Sequence, residues 1–224
     1  MGAKLEGEVA VVDEGERAAS LAAFEGLGLC AQLAEAAVSL GWKRPTEIQE
    51  QSIPRVLAGQ DVIGIAQTGS GKTGAFALPI LEDLLKSYAA GSSVTLFALV
   101  LSPTRELAMQ IADTFEALGA GVAARAARLV GGMDMMAQTL VLSRRPHVVV
   151  GTPGRVVDHL TSTKGFSLHA LRHLVLDEAD RLLSMDFESE IDAVVRASPI
   201  ERRTQLFSAT MTTRVAKLQR ACLR

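Results

Sequence analysis

Six short runs of branched and apolar residues alternate with helical stretches along this chain, and that alternation restricts its fold more than any other feature. The runs are 61–65, 96–101, 127–130, 147–150, 174–176 and 204–207. They lack the apolar–polar alternation of a half-exposed strand, so both of their faces must be covered. Helical patterns fall at about 29–39, 47–57, 72–86, 105–118, 133–142 and 211–223. Buried strands joined by helices form a parallel sheet with helices on both faces. The predicted class is therefore α/β. In such sheets ligands sit beyond the carboxyl ends of the strands.

The chain has 224 residues, which suits one large domain. Lys and Arg number 23 against 25 Asp and Glu, a net charge of −2. A wholly basic nucleic-acid binder is thereby excluded, although a local basic groove is not. Two cysteines, Cys30 and Cys222, cannot form a multi-bridge framework and read as small buried apolar residues. No apolar run approaches the ~18 residues a membrane helix needs. Residues 1–20 are acidic and without sustained periodicity, and are expected to form a flexible leader. The remainder, 21–224, is expected to be one domain.

The run 61–65 leads into Ala66, Gln67, Thr68, Gly69, Ser70, Gly71, Lys72 and Thr73, and then into a helix. This is the setting of a phosphate-binding loop. Gly69 and Gly71 let the backbone curl so that several N–H groups face one anion, and the helix N-terminus adds partial positive charge. Lys72 would reach the β- and γ-phosphates, and Thr73 would offer its hydroxyl to Mg²⁺. The generic pattern has Gly where Ala66 stands. A second element, Asp177-Glu178-Ala179-Asp180, follows the run 174–176. Parallel strands bring their ends together, so Asp177 can lie near Thr73. An Asp at such a strand end can hold Mg²⁺ through water, and the next Glu can orient or deprotonate an attacking water.

With these two elements the sequence resembles the DEAD-box RNA helicases, whose four letters are Asp177 to Asp180. The resemblance implies a RecA-like P-loop NTPase lobe. The segment 41–49, with Arg44, Thr46 and Gln49, looks like the family's Q motif, and Phe24 stands at the family's spacing upstream of it. A Gln49 amide can accept from N6 and donate to N7 of adenine, and Phe24 can stack on or pack against the base. The resemblance so implies ATP with Mg²⁺, bound by Phe24, Arg44, Thr46, Gln49 and 66–73, with Lys72, Asp177 and Glu178 catalytic.

Three more loops follow strands and open helices: Pro103-Thr104-Arg105, Gly131-Gly132, and Thr152-Pro153-Gly154-Arg155. Each offers N–H groups to an anion, and a row of phosphate-sized sites along one sheet edge suits a single strand's backbone. All three resemble the family's RNA-contacting motifs, which implies sequence-tolerant RNA binding. Arg105 and its neighbouring Glu can instead hold the loops together. Ser208-Ala209-Thr210 resembles the family's coupling motif, with Asp180 the implied partner of its hydroxyls. The family carries a second lobe with an H-R-x-G-R-type motif, and these 224 residues contain none. The chain is therefore expected to represent the N-terminal lobe alone, a monomer with no membrane contact. Stretches 75–80, 163–166 and 185–188 are similar to the nucleolar subfamily that processes small-subunit ribosomal RNA, which implies partners in ribosome assembly and a nuclear location. Two other functions are weighed: a non-catalytic RNA-binding scaffold, which Lys72, Thr73, Asp177 and Glu178 argue against, and a DNA translocase or other P-loop ATPase, which Phe24, Gln49 and Asp180 argue against.

Overall fold

A computed structural model describes residues 14–91 and 95–223. All six expected strands form: β1 (Val62–Ile65), β2 (Ala98–Leu101), β3 (Ala126–Leu129), β4 (Val148–Gly151), β5 (His173–Leu176) and β6 (Arg203–Ser208). They make one sheet in the order β1-β6-β5-β2-β4-β3, and every pairing is parallel. β2, β4 and β5 are buried at all four positions, which explains why their sequences carry no alternation. β2 begins later than its apolar run suggests, because Leu96 takes left-handed backbone at φ 49 and cannot extend the ladder.

Helices α1 (Glu14–Glu25), α2 (Ala31–Ser39), α3 (Glu47–Leu57), α4 (Lys72–Ala89), α5 (Arg105–Gly119), α6 (Met135–Ser143), α7 (Pro153–Ser162), α8 (Ala179–Ser184), α9 (Glu188–Ala197) and α10 (Thr213–Cys222) cover the sheet. Two apolar clusters result. One joins Phe24, Phe76, Phe115 and Phe207 with α2, α3, α4 and α5. The other joins Leu99, Leu174 and Leu206 with α7, α8, α9 and α10. Helices therefore lie on both faces, as expected of parallel strands.

The leader ends earlier than its composition suggests. Residues 14–20 begin α1, and residues 1–13 lie outside the described residues. Two effects favour a helix there. Glu14 and Glu16 complement its N-terminal dipole, and Phe24, which is fully buried, anchors its last turn in the core. Arg17 pairs with Glu35 of α2, and Lys43 Nζ lies 2.9 Å from Glu16 Oε1.

Buried histidines stand at the amino ends of the strands. His173 is fully buried with Nε2 3.1 Å from Asp83 Oδ2, and Asp83 also pairs with Arg203. His147 Nδ1 accepts from the Arg125 N–H at 3.0 Å, and Tyr88 Oη lies 2.6 Å from its Nε2. Burial, assisted by nearby arginines, pushes His173 down to about 3 and His147 down to about 4, from an ordinary 6.5. Below pH 6.5 the unfolded chain therefore takes up protons that the folded chain refuses, and stability falls as pH drops. Asp177, raised by burial to about 6, opposes this with uptake in the folded state. A net uptake of about one proton on unfolding gives a slope of about 1.4 kcal/mol per pH unit between pH 6 and 4. Urea midpoints measured across that range should fall toward acid. Midpoints that rise toward pH 4 would show that these histidines are not held neutral.

Candidate active site

The carboxyl ends of the six strands carry every loop singled out in the sequence. In spatial order along the edge they are 66–73 after β1, 208–210 at β6, 177–180 after β5, 103–105 after β2, 152–155 after β4, and 131–132 after β3. The phosphate loop and the acidic box are thus two strands apart, at ~4.8 Å per strand. The three loops expected to meet RNA are neighbours at the other half of the edge. The β6 segment stands between the phosphate loop and the acidic box.

A cavity of about 590 Å³ opens at the phosphate loop, within the range of small-molecule sites. Arg44, Thr46, Gln49, Thr68, Gly69, Gly71, Lys72, Thr73, Asp177 and Glu178 line it. Gly71 has φ 93, and a Cβ there would lie 2.6 Å from Thr46 Oγ1 and 2.8 Å from Gln49 Nε2. Glycine is therefore required twice over, by backbone sign and by the close approach of the 46–49 segment. Gln49 is buried; its Oε1 accepts from the Thr46 N–H at 3.0 Å and its Nε2 donates to Gly71 O at 3.0 Å. The amide so ties the Q segment to the phosphate loop, and keeps one N–H and one acceptor lone pair for a base edge.

Lys72 is buried with Nζ 3.0 Å from Glu178 Oε1, and Thr68 Oγ1 donates to the same oxygen at 3.1 Å. Glu178 sits in left-handed backbone at φ 51, immediately before α8. This buried Lys–Glu pair stands in the cavity that Thr73 and Asp177 also line. Asp177 is buried, and its Oδ1 has no hydrogen-bond partner. Burial raises this carboxyl, Lys72 lowers it and Glu178 raises it. An orphaned buried carboxylate oxygen in a cavity that Thr73 also lines fits a hard cation. Among the described residues no group of three or more His, Cys, Asp or Glu could hold a metal unaided. A cation at Asp177 would need ligand oxygens from phosphate or water.

The 208–210 segment is hydrogen-bonded to Asp180. Thr210 Oγ1 donates to Asp180 Oδ2 at 2.9 Å, the Asp180 N–H donates to Ser208 Oγ at 3.3 Å, and Ser208 Oγ donates to Thr210 O at 2.9 Å. Burial pushes the Asp180 carboxyl up, but hydrogen bonds from the Thr210 hydroxyl and the Arg181 N–H outweigh it and hold the group below its ordinary value.

Other placements depart from expectation. Phe24 is fully buried, 6.4 Å centroid to centroid from Trp42, and does not line the cavity. Its apolar helix face drives it into the core, and Trp42 is the aromatic that lines the cavity. Ala66, Gln67 and Ser70 form the loop without lining the cavity. Pro103, Thr152 and Pro153 are buried at the roots of their loops, whereas Arg105 and Gly132 are exposed. Thr104 Oγ1 caps α5 by accepting from Leu107 N–H at 3.3 Å. Arg155 Nη1 donates to Met133 O at 2.8 Å, so its guanidinium holds a neighbouring loop rather than standing free. Leu107, Gln110, Ile111 and Thr114 of α5 also line the cavity. Their i, i+3, i+4, i+7 spacing marks one helix face, a signal the sequence carried without showing what that face meets.

The profile of the DEAD/DEAH box helicases matches residues 46–218. The mouse protein described as probable ATP-dependent RNA helicase DDX47 is 56% identical over 201 residues, covering 90% of this chain and 43% of that protein. The ATP-dependent rRNA helicase rrp3 of Emericella nidulans is 54% identical over 209 residues, covering 93% and 44%. The chain thus spans less than half the length of these relatives. The crystal structure of a DEAD box protein from the hyperthermophile Methanococcus jannaschii superposes with a TM-score of 0.80 at 34% identity, over 89% of this chain and 53% of that one. With the parallel sheet, the phosphate loop and the Asp177–Asp180 box at its carboxyl edge, this chain belongs to the DEAD/DEAH box helicase family.

Proposed function

We propose that the chain is the N-terminal, ATP-binding and RNA-contacting lobe of an ATP-dependent RNA helicase. The whole protein hydrolyses ATP to ADP and phosphate, remodels RNA duplexes, and acts as a monomer with ribosome-assembly partners in nucleolar pre-ribosomal RNA processing. One observation carries the reading: a single sheet edge holds a phosphate loop facing a buried Asp–Glu pair, and a row of helix-opening loops beside it. The ribosomal assignment is supported by the rRNA helicase to which the chain is similar.

The phosphate-loop N–H groups and the N-terminus of α4 cradle the nucleotide phosphates. Lys72 exchanges Glu178 for phosphate oxygens. Gln49 offers its remaining N–H and lone pair to adenine, and Arg44, exposed at the cavity rim, supplies a cation. Thr73 through its hydroxyl and Asp177 through water would hold a Mg²⁺ ion, which would neutralise phosphate charge. Glu178, released from Lys72, orients the attacking water and takes its proton. Asp180 with Ser208 and Thr210 ties the acidic box to the β6 segment. The loops at 103–105, 131–132 and 152–155 meet the RNA backbone without reading bases.

The test is phosphate release from ATP by the full-length protein, with and without single-stranded RNA. RNA should raise the rate at least about tenfold. Equal rates with and without RNA would contradict the RNA-contacting role.

A further inference from the structure

A buried polar chain links α7 to the loop after β3. Gln138 of α6 is 3% exposed and His159 of α7 is fully buried. Gln138 Nε2 donates to Val130 O at 3.0 Å. His159 Nε2 lies 3.2 Å from Gln138 Oε1, and His159 Nδ1 lies 2.7 Å from Thr163 Oγ1. A carbonyl oxygen only accepts, so the imidazole proton sits on Nε2, and Nδ1 accepts from the Thr163 hydroxyl. Burial pushes the ring below its ordinary value, with Arg155 adding to the shift and Asp158 opposing it, which favours the neutral form.

Arg155, four residues before His159 on the same helix, donates to Met133 O. α7 therefore grips the carbonyls on both sides of Gly131 and Gly132, Val130 O through Gln138 and Met133 O directly. Between them Gly132 has φ 72, and a Cβ there would collide with the Arg105 guanidinium. A diglycine segment has large conformational freedom, and ordering it costs conformational entropy. Anchoring both flanking carbonyls places that cost on folding instead of on ligand binding.

We propose that His159 and Gln138 are positioning residues which, with Arg155, clamp the Gly131–Gly132 loop in the shape it offers to a phosphate backbone. The clamp follows from the hydrogen bonds; that the loop contacts RNA rests on the function proposed above. A His159 that merely filled the core would be replaceable by Leu without consequence for the loop.

The test uses the 224-residue chain with Gln138→Leu, His159→Leu and both together. Backbone ¹⁵N order parameters at Gly131 and Gly132 should fall from ~0.85 toward ~0.6 in each single variant, and the double should fall no further, because one chain is cut either way. Gly69 and Gly71 should be unchanged. Single-stranded RNA, titrated by NMR, should bind about tenfold more weakly to each variant. Unchanged loop order in a folded variant, an additive double, or equal loosening of the phosphate loop would overturn the clamp. Should these variants not fold, the His159 ring ¹⁵N shifts of the unmodified chain decide: an Nε2-protonated neutral ring is expected at pH 7, and an Nδ1-protonated or cationic ring overturns the chain of bonds. A loosened loop with unchanged RNA affinity would overturn its link to RNA. An unmodified chain that binds no RNA would overturn the RNA reading while the order parameters still test the clamp.

Discussion

Glu178→Gln in the full-length protein should cut ATP turnover by ~10² to 10⁴-fold, the usual worth of a positioned general base, while nucleotide affinity changes less than about threefold. Glu178 Oε1 lies where Lys72 Nζ and Thr68 Oγ1 converge, at 3.0 and 3.1 Å. Gln keeps the volume and one acceptor oxygen for those donors, so the resting contact survives. What it removes is the basic oxygen that water needs. The side chain also leaves a residue in left-handed backbone at the start of α8, a strained position typical of functional sites. Single-turnover hydrolysis with saturating ATP separates chemistry from binding. Turnover at the unmodified rate would show that the carboxylate is only structural.

The 224-residue chain by itself should hydrolyse ATP at least ~10³-fold more slowly than the full-length protein, and should bind RNA and nucleotide independently. No H-R-x-G-R segment occurs in it, and an arginine finger is worth ~10³ to 10⁵ in rate in NTPases. The loops at 103–105, 131–132 and 152–155 offer phosphate contacts on one side of a strand only, so RNA binding should be weak and salt-sensitive. Titrating single-stranded RNA with and without a non-hydrolysable ATP analogue measures the coupling. A tenfold tightening, ~1.4 kcal/mol, would contradict independence, as would RNA-stimulated turnover near that of the full-length protein.

Much of this was legible before any coordinates. Strands buried on both faces leave an apolar signature, and the parallel sheet follows from it. The phosphate loop is legible because glycine, lysine and hydroxyl are each demanded by the anion, at fixed spacing after a strand. The Asp177–Glu178 pair was legible from its place at a strand end, whereas the 208–210 segment was legible only through the resemblance, since a hydrogen bond such as Thr210 to Asp180 joins residues thirty apart. What failed depended on direction. Phe24 had the right spacing, but spacing does not say which way a helix face points, and the core took it. That Arg155 reaches Met133 O was not legible either, because it depends on how α7 lies beside the β3 loop. Helix α1 was missed because its stabilising partners, Glu35 and Lys43, are distant in sequence.

Calorimetric titration of ATP and GTP, each with Mg²⁺, into the 224-residue chain and into Lys72→Ala reads the nucleotide site most directly. ATP should bind at least about tenfold more tightly than GTP, because Gln49 keeps one donor and one acceptor for an adenine edge. Lys72→Ala should weaken ATP by ~10- to 100-fold, the worth of a charge-assisted contact of about 1.5–3 kcal/mol. Equal affinities for ATP and GTP, or ATP binding unchanged in Lys72→Ala, would contradict an adenine-nucleotide site at this sheet edge.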